Sequence, residues 1–210
     1  MIISKKFHKF WKTWFKRLFL LSLGLAVVGF FSFTLFVAWI SRDLPNPNSL
    51  STREVPQSTK IYDRTGKQLL FELHGDERRT LVKIEDIPLL MQHATVAIED
   101  KKFYEHHGVY WKGLVRAFGM SVLTRTRVRG TSTLTQQLVK NAILDNERSL
   151  MRKAREFVLA LQIERLYSKE QILQLYLNEI PYGSDIYGIE SASQTYFGKP
   201  GKQLTLDEAA

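Results

Sequence analysis

The sequence predicts a mainly α-helical domain that begins with a small β-hairpin and follows one transmembrane helix. Three observations support this prediction: an uncharged apolar run, two short apolar runs around a glycine turn, and apolar residues at helical spacing from Pro88 onward. At 210 residues, the chain has room for one domain of ordinary size plus an anchor. We expect a basic tail at residues 1–17, the transmembrane helix at 18–40, a linker at 41–57 and the domain at 58–210.

The transmembrane helix is predicted from the run Leu18–Ile40, which contains no charged residue. As a helix that rises about 1.5 Å per residue, the run is long enough to cross a hydrocarbon core about 30 Å thick. A cleavable signal peptide, the alternative, would have a shorter apolar region and a small-residue cleavage site, whereas this run ends at Trp39-Ile40-Ser41-Arg42. The Lys and Arg residues before the run predict a cytoplasmic N-terminus and a domain outside.

The formal net charge of +9 indicates an anionic partner, which on charge alone could be nucleic acid, phospholipid or a phosphorylated substrate. The basic tail also carries aromatic residues beside the anchor, a mixture that favours lipid headgroups over nucleic acid. We therefore expect membrane lipids and no nucleic acid as partners. Because the chain contains no cysteine, a disulfide framework, a thiolate metal site and a cysteine nucleophile are excluded.

The segment after the anchor contains Pro45 and Pro47, which cannot continue a helix, so we expect an extended linker. Further on, two short apolar runs lie on either side of Asp63-Arg64-Thr65-Gly66. This pattern predicts a β-hairpin with glycine at the turn.

Helical patterns dominate from Pro88, which suits the first turn of a helix that ends near Glu99. A later helix is predicted to begin at Ser168, because Gln171 three residues on completes a capping-box pattern. Between them, the stretch Val109–Arg129 mixes aromatic and aliphatic residues with Lys and Arg. From the pattern alone, a membrane-interface segment and an ordinary amphipathic core helix are equal alternatives, and the nearby anchor favours the membrane.

The first polar cluster is EDKKFYEHHG, which begins at Glu99. Because Glu99 follows an apolar run, we expect its side chain at the edge of the core, where loss of water makes a carboxylate a stronger base. The alternative is an acidic pair that only contacts solvent, beside histidines that are surface hydrogen-bonding groups. His106 and His107 lack the spacing of a zinc-binding helix, so no metal site is predicted there.

The second cluster is RGTSTLTQQLVKN, which begins at Arg129. Thr133 and Gln136 lie at capping-box spacing, which accounts for one hydroxyl at the start of a helix. The other hydroxyls, Gln137, Lys140 and free backbone N–H groups would form a cradle for a phosphate or a sugar. A nucleotide P-loop is excluded, because the order GxxxxGK[ST] is missing.

The third cluster lies on a predicted helix that follows Arg148. Here Glu156 shares a partly apolar helix face with one basic partner, Arg152. The alternative is a simple helix salt bridge between these two residues, which contributes on the order of a few tenths of a kcal/mol.

Five stretches of the sequence, in order, resemble the five successive motifs of the peptidoglycan glycosyltransferases, the lysozyme-like polymerase domain of class A penicillin-binding proteins and monofunctional transglycosylases. They are EDKKFYEHHG, GTSTLTQQLVKN, RKAREFVLALQIE, YLNEIPYG and YGIESASQTYFGK. The resemblance covers the chain from about Ser58 to its last residue. It implies a lysozyme-like glycosyltransferase fold with a membrane-embedded lower face, anchored in a bacterial inner membrane with the catalytic domain outside.

The implied reaction polymerises lipid II into β-1,4 glycan strands by a direct, inverting transfer that releases polyprenyl pyrophosphate. By resemblance, Glu99 is the general base, and Glu156 is a second acid that positions the donor or assists the pyrophosphate. A divalent cation, Mg or Mn, is left open at Glu156, and no organic cofactor is expected. The partners implied are lipid II, the growing glycan strand and other cell-wall synthesis proteins.

The resemblance also assigns binding and structural positions. The basic positions suited to the diphosphate are Lys140, Arg148, Arg152 and Lys153. The other substrate-binding candidates are Ser132, Thr133, Gln136 and Gln137 on the donor side, and Asn178. The positions that match structural parts of the motifs are Asp100, Phe103, His106, Gly108, Gly130, Tyr182, Gly183, Tyr196 and Phe197.

Two positions depart from the family pattern: Tyr110 stands where the family often has an acidic residue, which affects how the next segment is capped, and Ser191 replaces a common alanine, which is a small change. We also expect a fragment of a longer protein, because the last residues, Asp207–Ala210, indicate the start of another helix. The hairpin favours a bifunctional parent, with a transpeptidase further along.

Two other functions stay open. One is a lysozyme-like hydrolase, which needs a paired acid and nucleophile or an activated water. The other is a non-catalytic, membrane-anchored scaffold. The basic residues favour the polymerase over the hydrolase, because a hydrolase handles no pyrophosphate.

Overall fold

The computed structural model describes residues 3–53, 55–125, 130–144, 147, 149–183 and 185–209. The chain divides into two compact units, Met1–Leu44 and Pro45–Ala210. Within the first unit lies one α-helix, α1 (Ile3–Arg42). Its part Trp14–Arg42 contains an 18-residue stretch with a mean hydropathy of 2.3 and is, by length and composition, able to cross a membrane. The predicted apolar run therefore forms an uninterrupted helix.

A short helix, α2 (Ser49–Thr52), interrupts the segment that the sequence predicts to be extended. The backbone oxygen of Asn46 starts this helix, because it accepts hydrogen bonds from the backbone N–H and the hydroxyl of Ser49. Just after α2, Arg53 forms an ion pair with the buried Glu179. The expectation of an extended segment is therefore wrong for α2, and Arg53 holds this stretch against the rest of the unit.

The predicted β-hairpin is confirmed. Its strands β1 (Thr59–Tyr62) and β2 (Leu69–Leu73) pair in antiparallel fashion. The hydroxyl of Thr65 and backbone N–H groups of the turn donate hydrogen bonds to Asp63, which lowers the pKa of that carboxyl. Gly66 has a φ of +71°, a left-handed conformation that glycine adopts without strain.

Helices make up most of the remaining unit. In order they are α3 (Leu89–Glu99), α4 (Trp111–Thr124), α5 (Leu134–Ala142), α6 (Leu150–Leu166), α7 (Lys169–Glu179), α8 (Ile189–Phe197) and α9 (Leu206–Ala209), with 3₁₀ turns at Ile84–Asp86 and Gly201–Gln203. A short parallel pair joins β3 (Arg78–Arg79) to β4 (Ile186–Tyr187). The predicted fold class, mainly α with a small hairpin, is confirmed.

The core of the second unit lies where α5 packs against α6 and α7. Its fully buried side chains include Leu134, Leu138, Leu159, Ile163, Leu173 and Leu177. Burial of a side chain of this size contributes roughly 1.5–3 kcal/mol. This packing fixes the start of α5 and the middle of α6, which carry the second and third polar clusters.

Both predicted capping boxes are present. At the start of α5, the Thr133 hydroxyl accepts from the backbone N–H of Gln136 at 3.2 Å, and the Gln136 side chain accepts from the backbone N–H of Thr133 at 3.1 Å. Ser168 and Gln171 form the same arrangement at the start of α7. Each box satisfies two N–H groups that a helix end otherwise leaves unpaired.

Helix α4 contains no buried residue. Its apolar side chains are exposed, including Val115 at 70% and Leu123 at 81%. The alternative of an ordinary core helix is therefore wrong, because such a helix buries its apolar face. The helix begins after Tyr110, whose side chain makes no capping hydrogen bond. Residues 126–129 of the predicted interface segment lie outside the described residues.

Candidate active site

Glu99 is the last residue of α3, and its side chain is exposed. The expectation that Glu99 lies at the edge of the core is wrong, because the chain turns after α3 and buries Asp100 instead. The Asp100 carboxylate accepts hydrogen bonds from Nε2 of His106 at 2.8 Å and from the backbone N–H of Leu134 at 3.1 Å. Asp100 thereby joins the end of α3 to the start of α5, and Glu99 is left at the surface.

Glu99 lines a cleft with a volume of about 430 Å³. The other lining residues come from the end of α3, from α4 and from the loop Gly130–Thr133. The structure thus brings the first polar cluster together with the loop of the second. Three further lining residues, Lys101, Lys102 and Arg116, are cationic and were not selected from the sequence.

A sequence signal for Arg116 exists in α4. The cleft-lining residues of this helix are Gly113, Arg116, Ala117 and Met120, at positions i, i+3, i+4 and i+7. This spacing places them on one helix face. Within this face, the small residues Gly113 and Ala117 lie beside Arg116.

Gln137 connects Glu99 to the core behind it. Its Nε2 donates to Oε2 of Glu99 at 2.8 Å, and its Oε1 accepts from the hydroxyl of Tyr176 at 3.2 Å. Burial raises the pKa of the Tyr176 hydroxyl, and the negative charge of Glu99 raises it further. Burial also raises the pKa of Tyr182, with smaller contributions from Tyr176 and Glu99. Both hydroxyls are therefore protonated at physiological pH.

Glu156 lies in the middle of α6 and is only 2% exposed. Its Oε1 forms an ion pair with Arg152, and its Oε2 accepts from Nζ of Lys153 at 2.6 Å. The same Nζ donates to the hydroxyl of Ser132 at 2.8 Å. The simple helix salt bridge is therefore only part of the arrangement, since a buried carboxylate orders two cations and joins the third cluster to the second.

The other predicted donor-side residues are divided between the cleft and the protein interior. Lys140 is exposed one turn after Gln137 on α5, and it makes no hydrogen bond or ion pair with a described residue. Thr133 and Gln136 are buried, because their side chains form the cap of α5. Arg148 lies outside the described residues.

Asn178 lies away from the cleft. Its Oδ1 accepts from the backbone N–H of Val82 at 2.9 Å, and its Nδ2 donates to the backbone oxygen of Val82 at 2.8 Å. It lines a separate cavity of about 380 Å³ with Leu138 and Tyr167. In this position Asn178 holds the segment before α3 against α7, and its contact with substrate stays a prediction.

Two structural positions of the first motif are packed tightly. Gly108 has a φ of +83°, and a Cβ placed there would come within 2.7 Å of the backbone oxygen of Ala160 on α6. The same glycine accepts a hydrogen bond from the Thr133 hydroxyl at 2.6 Å. Phe103 is fully buried, and Nζ of Lys169 lies 4.4 Å from its ring centroid.

The structural positions of the later motifs meet at the end of α8. The hydroxyl of Tyr196 donates to the backbone oxygen of Tyr182 at 2.8 Å. A Cβ on Gly183 would come within 2.7 Å of that hydroxyl, so a larger residue there would displace the end of the Tyr196 side chain. Phe197, the last residue of α8, is exposed.

Gly130, the structural position of the second motif, has a φ of +76° and open space around it.

The described side chains do not fit a resident metal ion. Among them, no group of three or more His, Cys, Asp or Glu residues could hold one. Glu156, where the resemblance leaves a cation open, already has both oxygens engaged by Arg152 and Lys153. The positive charges of Arg152 and Lys153, both in contact with Glu156, would repel a divalent cation at this carboxylate.

Comparison with known proteins gives consistent matches. The model of the transglycosylase family matches residues 66–210. The chain is 41% identical over 195 residues to penicillin-binding protein 1A of Aquifex aeolicus, covering 93% of this chain and 27% of the relative. It is 42% identical over 172 residues to penicillin-binding protein 1A of Escherichia coli K12, covering 82% and 20%. The chain thus spans about a quarter or less of the length of these curated relatives.

Proposed function

The chain belongs to the transglycosylase family, and from this premise we propose that it is a peptidoglycan glycosyltransferase of bacterial cell-wall synthesis. Its substrates are lipid II and the growing glycan strand, and its product is a β-1,4 glycan. The observation that supports this proposal is the site geometry around the loop Gly130–Thr133. The exposed carboxylate of Glu99 lines the cleft together with this loop, and the buried carboxylate of Glu156 holds Lys153, which bonds to Ser132 of the same loop. A class A penicillin-binding protein is the proposed parent, because the relatives carry that name.

In the proposed reaction, Glu99 takes the proton of the acceptor 4-hydroxyl while that oxygen attacks the anomeric carbon of the donor. The bond between this carbon and the pyrophosphate oxygen breaks, and polyprenyl pyrophosphate leaves with the electron pair. Because the donor linkage is α and the product linkage is β, the displacement is direct and needs no covalent enzyme intermediate. One general base and stabilisation of the leaving group are sufficient for such a step.

The leaving group is stabilised by basic side chains. Lys140 is exposed and makes no ion pair with a described residue, so its charge is available to the diphosphate. Lys153 is 47% exposed while it remains bonded to Glu156 and Ser132. Glu156 has no free carboxylate oxygen, so its proposed role is to hold Arg152 and Lys153 in place for the donor.

The carboxylates also discriminate between a transferase and a hydrolase. A lysozyme-like hydrolase uses two carboxyl groups at the scissile bond. The acidic residues that line the cleft are Glu99 and Asp100, and Asp100 is buried with its carboxylate bonded to His106 and Leu134. With Glu156 bound to two cations as well, Glu99 is the carboxylate free to react, which favours the transferase.

The proposed location is a bacterial inner membrane, crossed once by α1. The basic residues before the apolar run support a cytoplasmic N-terminus and a catalytic domain on the outer side. Lipid II on that side is held in the same bilayer. The exposed apolar side chains of α4, such as Val115 and Leu123, suit the membrane interface beside the cleft. Other cell-wall synthesis proteins are proposed partners, together with membrane lipids.

A divalent cation has a limited role in this proposal. Because the side chains at Glu156 do not fit a resident ion, we propose that Mg²⁺ or Mn²⁺ acts only as a counter-ion that the substrate diphosphate brings to the site.

The test is a polymerisation assay with the chain in detergent and purified lipid II. Wild-type protein should give glycan strands that lengthen with time, and Glu99→Gln should lower the rate by about 10²-fold or more, because the base is lost. The matched control is Glu105→Gln. Glu105 is an exposed carboxylate of the same motif that pairs with Lys102, and its replacement should leave the rate unchanged.

Other outcomes identify the alternatives. Release of sugars from finished peptidoglycan, without strand synthesis, would make the protein a hydrolase. Full polymerase activity of Glu99→Gln would remove Glu99 from the reaction. The protein is a scaffold if it acts on neither substrate and if cells that require it still grow with the Glu99→Gln variant.

A further inference from the structure

The amide of Gln137 lies between the carboxylate of Glu99 and the hydroxyl of Tyr176. On one side its Nε2 donates to Oε2 of Glu99 at 2.8 Å. On the other side its Oε1 accepts from the hydroxyl of Tyr176 at 3.2 Å. Three elements therefore meet in this chain of hydrogen bonds, because Glu99 ends α3, Gln137 lies on α5 and Tyr176 lies on α7.

The two ends of this amide are not interchangeable. Tyr176 is 3% exposed, and its hydroxyl is neutral, so it can donate a proton to Oε1 of Gln137. If the amide turned over, Oε1 would face the carboxylate of Glu99, and two acceptors would oppose each other without a proton between them. The Glu99 carboxylate therefore sets the orientation of the amide, and the Tyr176 hydroxyl holds the amide there by donating to its Oε1.

The position of Tyr176 is fixed by the core. On α7 it lies between Leu173 and Leu177, which are almost fully buried. On α5, Gln137 directly precedes the fully buried Leu138. Since α5 and α7 pack against each other, neither the tyrosine nor the glutamine backbone can move independently of the core.

The consequence falls on Glu99. With Oε2 engaged by Gln137, Oε1 makes no hydrogen bond with a described residue and is the oxygen left for the acceptor proton. We propose that Tyr176 is a positioning residue of the transferase, which orients the Glu99 carboxylate through Gln137 and presents Oε1 to the acceptor hydroxyl. This inference rests on the proposed function, in which Glu99 is the general base.

Tyr182 provides a matched control. Its hydroxyl is also buried and is near enough to feel the charge of Glu99, but it has no hydrogen-bond partner among the described residues. Tyr176→Phe and Tyr182→Phe therefore each remove one buried hydroxyl from the same region. Only the first variant removes a member of the hydrogen-bond chain.

The first experiment measures initial rates of lipid II polymerisation in detergent. Tyr176→Phe should lower kcat by about threefold to tenfold, the range expected for loss of one neutral hydrogen bond, here the bond to Gln137, and should leave KM within about twofold. Tyr182→Phe should leave kcat within about twofold. A purely structural role of Tyr176 would instead reduce the folded fraction, which thermal unfolding reports, without this split between kcat and KM.

The second experiment is a double-mutant cycle with Gln137→Met, which removes the amide and leaves α7 untouched. Gln137→Met should lower kcat at least as much as Tyr176→Phe does. In the Gln137→Met background, Tyr176→Phe should then change kcat by less than about twofold, because the connection is already broken.

Two results would overturn the positioning role: losses of kcat that multiply in the double variant, or a loss of kcat in Tyr182→Phe as large as in Tyr176→Phe. The proposed function would still hold in both cases if the wild-type protein polymerises lipid II. A wild-type protein that does not polymerise lipid II would overturn the proposed function itself. If the Tyr176→Phe variant does not fold, the kcat of Gln137→Met decides the question. An unchanged kcat in that variant excludes positioning of Glu99 through Gln137.

Discussion

The regions around Glu99 and Glu156 contain the same residue type in opposite surroundings. Glu99 is exposed at the end of a helix, and its described hydrogen-bond partner is the neutral amide of Gln137. Glu156 is buried inside a helix and contacts two cations, Arg152 and Lys153. A carboxylate that accepts a proton needs a free oxygen, and one that orders cations uses both. The surroundings therefore divide the work between two identical side chains.

These surroundings have different structural origins. Arg152 and Lys153 lie four and three residues before Glu156, so the helix itself places them beside it. Gln137 reaches Glu99 from 38 residues away. The surroundings of Glu156 should therefore depend mainly on α6, and those of Glu99 on how α3 and α5 lie relative to each other.

The largest effect on stability is expected where the two regions meet, at Gly108. Gly108→Ala should lower the free energy of unfolding by about 3 kcal/mol, because the new Cβ combines a positive φ with a close approach to Ala160. Denaturant unfolding measures this. Gly130→Ala is the control, since its φ is also positive but its surroundings are open, and it should cost only about 1 kcal/mol. Equal costs would contradict the close approach.

The next effect separates the two glutamates. Glu156→Gln should lower the free energy of unfolding by about 2 kcal/mol, because two cations lose their charged partner beside a buried site. Glu99→Gln should change it by less than about 0.5 kcal/mol, because the side chain is exposed. Denaturant unfolding of both variants measures the difference, and similar values would remove the contrast.

Alkaline pH should weaken the region behind Glu99. The pKa of Tyr182 is raised in the folded protein, chiefly by burial, so above about pH 10 the unfolded chain loses a proton that the folded chain keeps. This contribution to stability is complete below pH 10 and is lost as pH rises further, by up to about 1.4 kcal/mol per pH unit. Unfolding measured at pH 9 and pH 11 should show a smaller decline in Tyr182→Phe than in wild type. An identical decline would contradict this origin.

The smallest effect is expected from removal of divalent cations. Since Arg152 and Lys153 already engage Glu156, EDTA should lower the polymerisation rate by less than about threefold. The assay with lipid II and added chelator measures this, with Mg²⁺ restored as the control. A loss of more than about tenfold that Mg²⁺ reverses would show that a cation belongs to the Glu156 region after all.

Much of the fold could be predicted because it depends on short-range patterns. The apolar run that forms α1, the hairpin turn at Gly66 and the capping box of Thr133 with Gln136 each involve residues a few positions apart. Such contacts form within one element and leave a direct signature in the sequence. The same applies to the pair of Arg152 and Glu156, one helical turn apart.

The tertiary structure alone decided which side chains are buried and which are free. It buried Asp100 instead of Glu99 through a hydrogen bond to Leu134, 34 residues away, and it engaged Asn178 with Val82, 96 residues away. Burial depends on what the rest of the chain places opposite a residue, so two adjacent acids such as Glu99 and Asp100 look alike in sequence. The sequence by itself determined the helices, their caps and the family motifs, whereas packing determined which carboxylate can react.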